Sequence, residues 1–307
     1  ARKVEFLLDR TSHVEALDEE GRTHRWHPRF LIDATGRDTL LANRFGIKQR
    51  NRRHNSAALF GHFSGARRLQ GDAEGNISIF WFAHGWFWFI PLRDGITSVG
   101  AVCWPYYMKS RRSSPEQFLH ETIALCPGVA ERLREAKLES PVTATGNYSY
   151  QASSMVGPGY VMIGDAFAFI DPVFSTGVFL AMKSAMLAVD AVDAALRSPA
   201  QAERLFSRFD RRVRRSLAIY SWYIYRVTSP AMRGLLMSPK NVMRVQEALV
   251  SLLAGDDQTP GVMARLRVFK LIYYIASILN LRACLRAFRS RRRAIRGSGS
   301  GAAAAGA

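Results

Sequence analysis

The stretch 159–196, GYVMIGDAFAFIDPVFSTGVFLAMKSAMLAVDAVDAAL, limits the fold more than any other part of the chain. Its apolar run 160–163 suits a short, buried parallel strand, and Gly164-Asp165 ends it. A loop carrying Asp171-Pro172 and Ser175-Thr176-Gly177 follows, after which helix formers run almost unbroken to Leu196. Glycines where a strand ends and a helix begins let backbone N–H groups approach a ligand, and the helix dipole favours negative charge at that point. The expected ligand is therefore an anion. The helix is apolar nearly all round and close to the length that spans a bilayer. Lys183, Asp190 and Asp193 fall on one side of it, so a buried core helix with one polar edge is expected.

A second strand and loop of this kind lies at 30–38, where an apolar run enters Asp33-Ala34-Thr35-Gly36-Arg37-Asp38 and a helical segment follows to Phe45. This loop reads equally as a ligand-facing turn or as an ordinary strand-to-helix turn capped by Asp33. Before it, 4–8 and 12–17 alternate in polarity and Asp18-Glu19-Glu20-Gly21 forms a turn, which predicts a β-hairpin or a pair of short strands. From 50 to 104 the pattern becomes antiparallel strands rich in aromatics, with Asp94-Gly95 as a hairpin turn. Residues 114–137 predict two short helices, 142–150 a returning strand, and Gly157-Pro158-Gly159 a turn.

Composition narrows the class. A chain of 307 residues with 48% apolar content has enough length for two domains and enough core to fold. Cys103, Cys126 and Cys284 show no paired spacing, so neither a disulfide framework nor a zinc site is expected. The net charge of +18 is concentrated at 200–296, where twenty Lys and Arg stand against five acids. An acidic carrier protein or an anionic membrane surface suits that charge better than nucleic acid, because no nucleic-acid-binding motif accompanies it. Residues 262–288 read as a basic amphipathic helix, able to rest on such a surface or to pack on the core with a solvated basic face. The N-terminus has no signal-peptide pattern, which makes the cytoplasm the expected compartment.

The order GD, DP, STG before a long apolar helix is similar to the second flavin-binding motif of FAD-dependent monooxygenases and halogenases. The loop DATGR resembles their cofactor-side loop. Gly85-Trp86-Phe87-Trp88-Phe89-Ile90-Pro91 fits the WxWxIP motif of flavin-dependent halogenases, although aromatic core strands are common on packing grounds alone. The resemblance implies an α/β (α+β) fold: an incomplete Rossmann-like FAD domain, an inserted antiparallel-sheet substrate domain and a C-terminal helical region. The expected divisions are 1–49 and 141–199 for the FAD domain, 50–140 for the substrate domain, 200–296 for the basic helices and 297–307 for a flexible tail.

By the same resemblance Asp33, Gly36, Arg37, Gly164, Asp165, Asp171, Pro172 and Gly177 would lie along FAD, and Ser175, Thr176 and Gly177 would hold halide. Trp86, Trp88 and Pro91 would form the catalytic wall that keeps the organic substrate from the flavin. Reduced FAD would come from a separate flavin reductase. Phe174 stands where tryptophan halogenases tend to carry a glutamate, so the chain is more similar to phenol and pyrrole halogenases, whose substrates are often carrier-bound. Neither a GxGxxG motif nor the family's catalytic lysine is found, and Lys48 is not in that lysine's place. An N-terminally truncated enzyme that binds FAD weakly by itself is therefore expected. A monooxygenase or reductase acting on a lipid or polyene, and a non-catalytic membrane- or carrier-binding remnant, are the alternatives.

Overall fold

The computed structural model describes residues 3–51, 54–146, 148–197, 199–237 and 240–297. The expected tail beyond 297 lies outside the described residues. The chain divides into two compact units, one of Ala1–Asn51, Ser149–Val227 and Met232–Ile278, the other of Arg52–Tyr148, Thr228–Ala231 and Leu279–Ala307.

The first unit opens with β1 (Lys3–Phe6), β2 (Ser12–Leu17) and β3 (Thr23–Trp26), an antiparallel meander in which Val4 faces Val14 and Val14 faces Trp26. The predicted hairpin thus gains a third strand. β3 is exposed at every position and lacks the apolar alternation that would have revealed it; Asp18 fixes the turn by accepting hydrogen bonds from Arg22 and His24. β4 (Leu31–Asp33) then enters a 3-10 turn, α1 (Leu40–Arg44) and β5 (Lys48–Arg50).

The second unit is built on a six-stranded antiparallel sheet. Its strands are β6 (Ala57–Ser64), β7 (Ser78–Phe82), β8 (Gly85–Pro91) and β9 (Thr97–Cys103), with β10 (Lys137–Leu138) and β11 (Thr143–Thr145) both pairing β6. Asp94 and Gly95 both take the left-handed conformation, at φ +57° and +73°, and turn β8 back into β9. Between β9 and β10 run α2 (Pro105–Lys109), α3 (Pro115–Ala124) and α4 (Pro127–Arg132). Ser114 caps α3 by accepting from the Gln117 amide. Phe118, Leu119, Ile123 and Val129 of these helices bury Phe87 and Phe89 of β8 together with Leu59 and Val99.

The run 142–150 departs from the expected single strand. Thr143–Thr145 pairs with β6, whereas β12 (Tyr150–Ala152) pairs with β5 and with Ala168–Phe169 of the first unit, so the chain changes sheets between them. Gly146 sits in that interval, where a residue without a side chain best allows a break.

Returning to the first unit, β13 (Val156–Gly157) and β14 (Tyr160–Met162) form the tight turn at Gly157-Pro158-Gly159. β14 runs parallel to β4, with Val161 opposite Ile32 and Met162 opposite Asp33. Both strand ends therefore deliver their loops on one side of the sheet. β15 (Ala168–Phe169) and α5 (Gly177–Arg197) follow. α6 (Pro199–Ile224) packs along α5, and Phe206 and Phe209 join Met162, Phe167, Ala188 and Val192 in the core. The remaining helices are α7 (Pro230–Met237), α8 (Val245–Leu253), α9 (Pro260–Leu279) and α10 (Leu281–Gly297).

α5 is not the buried core helix with a single polar edge that its sequence predicts. Ala188, Ala191 and Val192 face the core, but Val178, Met182, Met186 and Val189 are 55–74% exposed on the opposite side. Sequence periodicity reported an apolar helix correctly; it carried no information on which side would be covered. No single helix among the described residues is long and apolar enough to cross a membrane, although α9 and the start of α10 together pass that test by length and composition.

Candidate functional site

The loop after β4 is organised by Asp33. Its carboxylate is buried, and one oxygen accepts from the Thr35 amide at 2.9 Å and the Thr35 hydroxyl at 2.7 Å. The other accepts from the Leu41 amide at 2.8 Å, which ties the strand end to the first turn of α1. These bonds account for both oxygens, so Asp33 shapes the loop, the capping role left open by its sequence. Gly36, at φ +61° with nothing within 4 Å of its missing Cβ, presents open backbone, and Arg37 is exposed beside it. Asp33→Ala is expected to lower stability by about 2 kcal/mol through loss of this cap, measurable by chemical denaturation.

After β14 the chain turns at Gly164, φ +53°, where a Cβ would come within 2.8 Å of the Ala181 side chain. The Gly164 amide donates to Ser184 of α5 at 2.9 Å, and Tyr150 donates to the Asp165 carbonyl at 2.7 Å. The Asp165 side chain is left half-buried. Burial raises its pKa, and the nearby Arg37 guanidinium opposes that rise only in part. A carboxyl whose folded pKa exceeds its unfolded value binds more protons in the native state, so its unfavourable effect appears as pH rises through that window. Asp165→Asn is therefore expected to stabilise the protein at neutral pH. The gain should vanish in acid, once Asp165 is itself protonated, and denaturation curves of both proteins across pH would show this.

Asp171 accepts from the Val173 amide at 3.0 Å and starts the 3-10 turn Pro172–Phe174, which ends at Ser175 in the left-handed conformation, φ +53°. That kink delivers Thr176 and Gly177 to the start of α5. Thr176 is buried, and among the described residues nothing accepts from the Thr176 or Gly177 amides. Only Phe169, at 3.7 Å, would touch a Cβ on Gly177. The glycine is not required by its neighbours; its effect is to leave the helix start open to a ligand. Gly164, Asp165, Thr176, Gly177 and Lys183 line one cavity of about 40 Å³. That space admits one or two waters or a small ion, and is far too small for an aromatic ring system.

In the second unit, alternation along β8 places Trp86 and Trp88 on one face and Phe87 and Phe89 on the other. The indoles lie 6.2 Å apart at 57°. Trp88 donates through Nε1 to the Ser98 hydroxyl at 3.1 Å, and Gly100 of β9 makes room for its ring. Pro91 ends β8 opposite Thr97.

One feature near the helix start was not foreseen from sequence. Lys183 of α5 pairs with Asp257, in the loop after α8, at 2.5 Å, with side-chain exposures of 17% and 2%. Beside it Phe179 packs against Gly255, whose missing Cβ would fall 2.4 Å from the ring. The charge of Lys183 in an apolar helix was the only signal, and its partner lies 74 residues away. Lys48 is engaged elsewhere, donating to Thr39 at 2.8 Å with its ammonium over the Tyr150 ring; burial lowers its pKa. Among the described residues no group of His, Cys, Asp and Glu could hold a metal ion.

Comparison with known proteins matches residues 1–227 to the profile of the family described as tryptophan halogenase. The tryptophan 2-halogenase of Chondromyces crocatus is 38% identical over 168 residues, 53% of this chain and 32% of the relative. The 1H-pyrrole-2-carbonyl-[peptidyl-carrier protein] chlorinase of Pseudomonas fluorescens is 26% identical over 234 residues, 74% of this chain and 52% of the relative. The myxobacterial chondrochloren halogenase CndH, an FAD-dependent halogenase of known structure, superposes with a TM-score of 0.68 at 32% identity, covering 83% of this chain and 61% of its own. The chain spans about a third to a half of the length of these two curated relatives.

Proposed function

The chain belongs to the tryptophan halogenase family, and on that premise we propose that it serves as an FAD-dependent halogenase acting on an aromatic substrate of phenol or pyrrole type, free or carrier-bound. The observation that carries this reading is the opening of α5, where the Thr176 and Gly177 amides have no acceptor among the described residues and meet a small, mostly apolar cavity. Such amides hold a halide as they would any small anion. The resemblance of the tryptophan strand to the halogenase motif, and the pyrrole chlorinase among the relatives, support the substrate class.

That small cavity would take the halide alone, and the loop backbone around it would carry the ring and ribityl end of FAD. Gly36 and Gly177 leave backbone open for close approach, and Asp165 offers a half-buried carboxyl next to Arg37. Reduced FAD, when bound, would supply with oxygen the two-electron oxidation of halide to an electrophilic halogen. The chain's own contribution is positional. Asp33 and Asp171 fix the two loops, the α5 amides would hold the anion, and the flat bulk of the paired Trp86 and Trp88 would, by the family resemblance, keep the organic substrate from the flavin.

A flavin reductase in the cytoplasm would deliver the reduced cofactor. An anionic membrane surface is a further partner of this proposal, supported by α9. That helix buries Val262, Leu266, Phe269 and Tyr273, yet exposes Leu271, Tyr274, Ile275 and Ile278 on another side, near Arg267 and Lys270. Co-sedimentation with anionic but not neutral vesicles, lost on Leu271→Ser with Ile278→Ser, is the expected result.

The central test supplies the protein with reduced FAD, oxygen, bromide and an electron-rich phenol. A ring-brominated product bearing the bromine isotope doublet is expected. Oxygenated product without halogen would make the protein a monooxygenase instead.

A further inference from the structure

The side of α6 that faces solvent carries Arg204, Arg208, Arg211 and Arg215, at steps of four, three and four residues, all exposed. At 1.5 Å per residue they form a straight ladder about 16 Å long on one face of the helix. None of the four has an ion pair or hydrogen-bonded side-chain partner among the described residues. The other arginines of this helix are engaged: Arg212 binds Gln258, and Arg214 binds Asp210 and the Ser153 carbonyl. Of the two acids on α6, Asp210 is taken by Arg214 and Glu203 lies beside the ladder. Like charges three and four residues apart repel and weaken a helix, so the arrangement is unfavourable until something negative covers it.

We propose that this ladder is the docking surface for an acidic carrier protein that presents the aromatic substrate, an inference that rests on the halogenase reading above. All four positions are arginine, whose planar fork binds carboxylates in bidentate fashion, and carboxylates on an acidic helix recur at the same three- and four-residue steps. Two other polyanions fit less well. A helix reads duplex DNA by entering the major groove, but α6 is sunk into the core along Phe206, Phe209, Tyr220 and Tyr223 and cannot enter one. A lipid surface is held by apolar residues as well as charge, and the ladder has no exposed large apolar side chain within it.

The test measures binding of the full chain to a purified peptidyl carrier protein loaded with a pyrrole-2-carbonyl group, at low and high salt. Arg204→Glu and Arg208→Glu are each expected to weaken binding about tenfold, more in combination, and salt to weaken the parent complex. Arg111→Glu, an exposed reversal in the second unit, should leave it unchanged, and bromination of a free phenol should be unaffected by the α6 reversals. Carrier binding that is absent, or insensitive to both reversals, overturns the proposal. So does a result in which the reversals abolish binding to a DNA duplex or to phosphatidylglycerol vesicles and leave carrier binding intact. Failure of the halogenase reading would show separately, as loss of free-phenol bromination by the parent protein.

Discussion

Lys183→Met is expected to destabilise the protein by about 3–5 kcal/mol, because it leaves Asp257 charged, almost fully buried and without its counter-ion. One Asp257 oxygen already has no hydrogen-bond partner among the described residues, so losing the ammonium removes the main compensation for burying that carboxylate. The pair also sits where α5 meets the loop after α8, next to the contact between Phe179 and Gly255. Removing both charges, as Lys183→Met with Asp257→Leu, should restore most of the loss, since an apolar pair of similar volume carries no desolvation penalty. Chemical denaturation of the two single variants and the double variant would give the coupling directly. Additive losses would mean that the pair does not act as a unit.

The second large effect is expected at Gly100. A methyl group there would lie 2.2 Å from the Trp88 ring and 2.6 Å from the Phe60 Cβ, distances that require the indole or the strand to move. Gly100→Ala should cost about 3 kcal/mol, at the upper end of overpacking, and should shift tryptophan fluorescence because Trp88 loses its place over β9. Ser98→Ala is the milder companion. It removes the acceptor of the Trp88 N–H without crowding the ring, and should cost about 1 kcal/mol. If the tryptophan pair shields the flavin, both variants should also raise the share of reducing equivalents that ends without halogenated product.

These two sites differ in how far the sequence revealed them. The tryptophan strand was legible because alternation, an Asp-Gly turn and aromatic content are local properties, and β8 and β9 pair around that turn. The loops after β4 and β14 were legible for the same reason, since glycine and aspartate mark the points where strands must stop. Asp33 shows where local reading ended: its type and position fitted a ligand contact as well as a cap, and only the three bonds to Thr35 and Leu41 account for its oxygens. The Lys183 pairing was hidden because nothing near Lys183 in sequence indicates a partner in the loop after α8. The run 142–150 and the strand Thr23–Trp26 were misread or missed for a related reason, as short polar strands take their pairing from neighbours rather than from their own pattern.

The exposed side of α5 has a chemical consequence. Met182 and Met186 are 64% and 74% exposed, and they stand five and nine residues along α5 from Gly177, a rise of about 7.5 and 13.5 Å. On the proposed halogenase reading, hypohalous acid escaping from the start of that helix would meet exposed, oxidisable sulfur on its flank. Conversion to the sulfoxide would turn an apolar flank polar without touching the core. Working enzyme should therefore accumulate oxygen at these two methionines in proportion to turnovers that fail to reach substrate, so that a peptide map of spent protein doubles as a record of leakage.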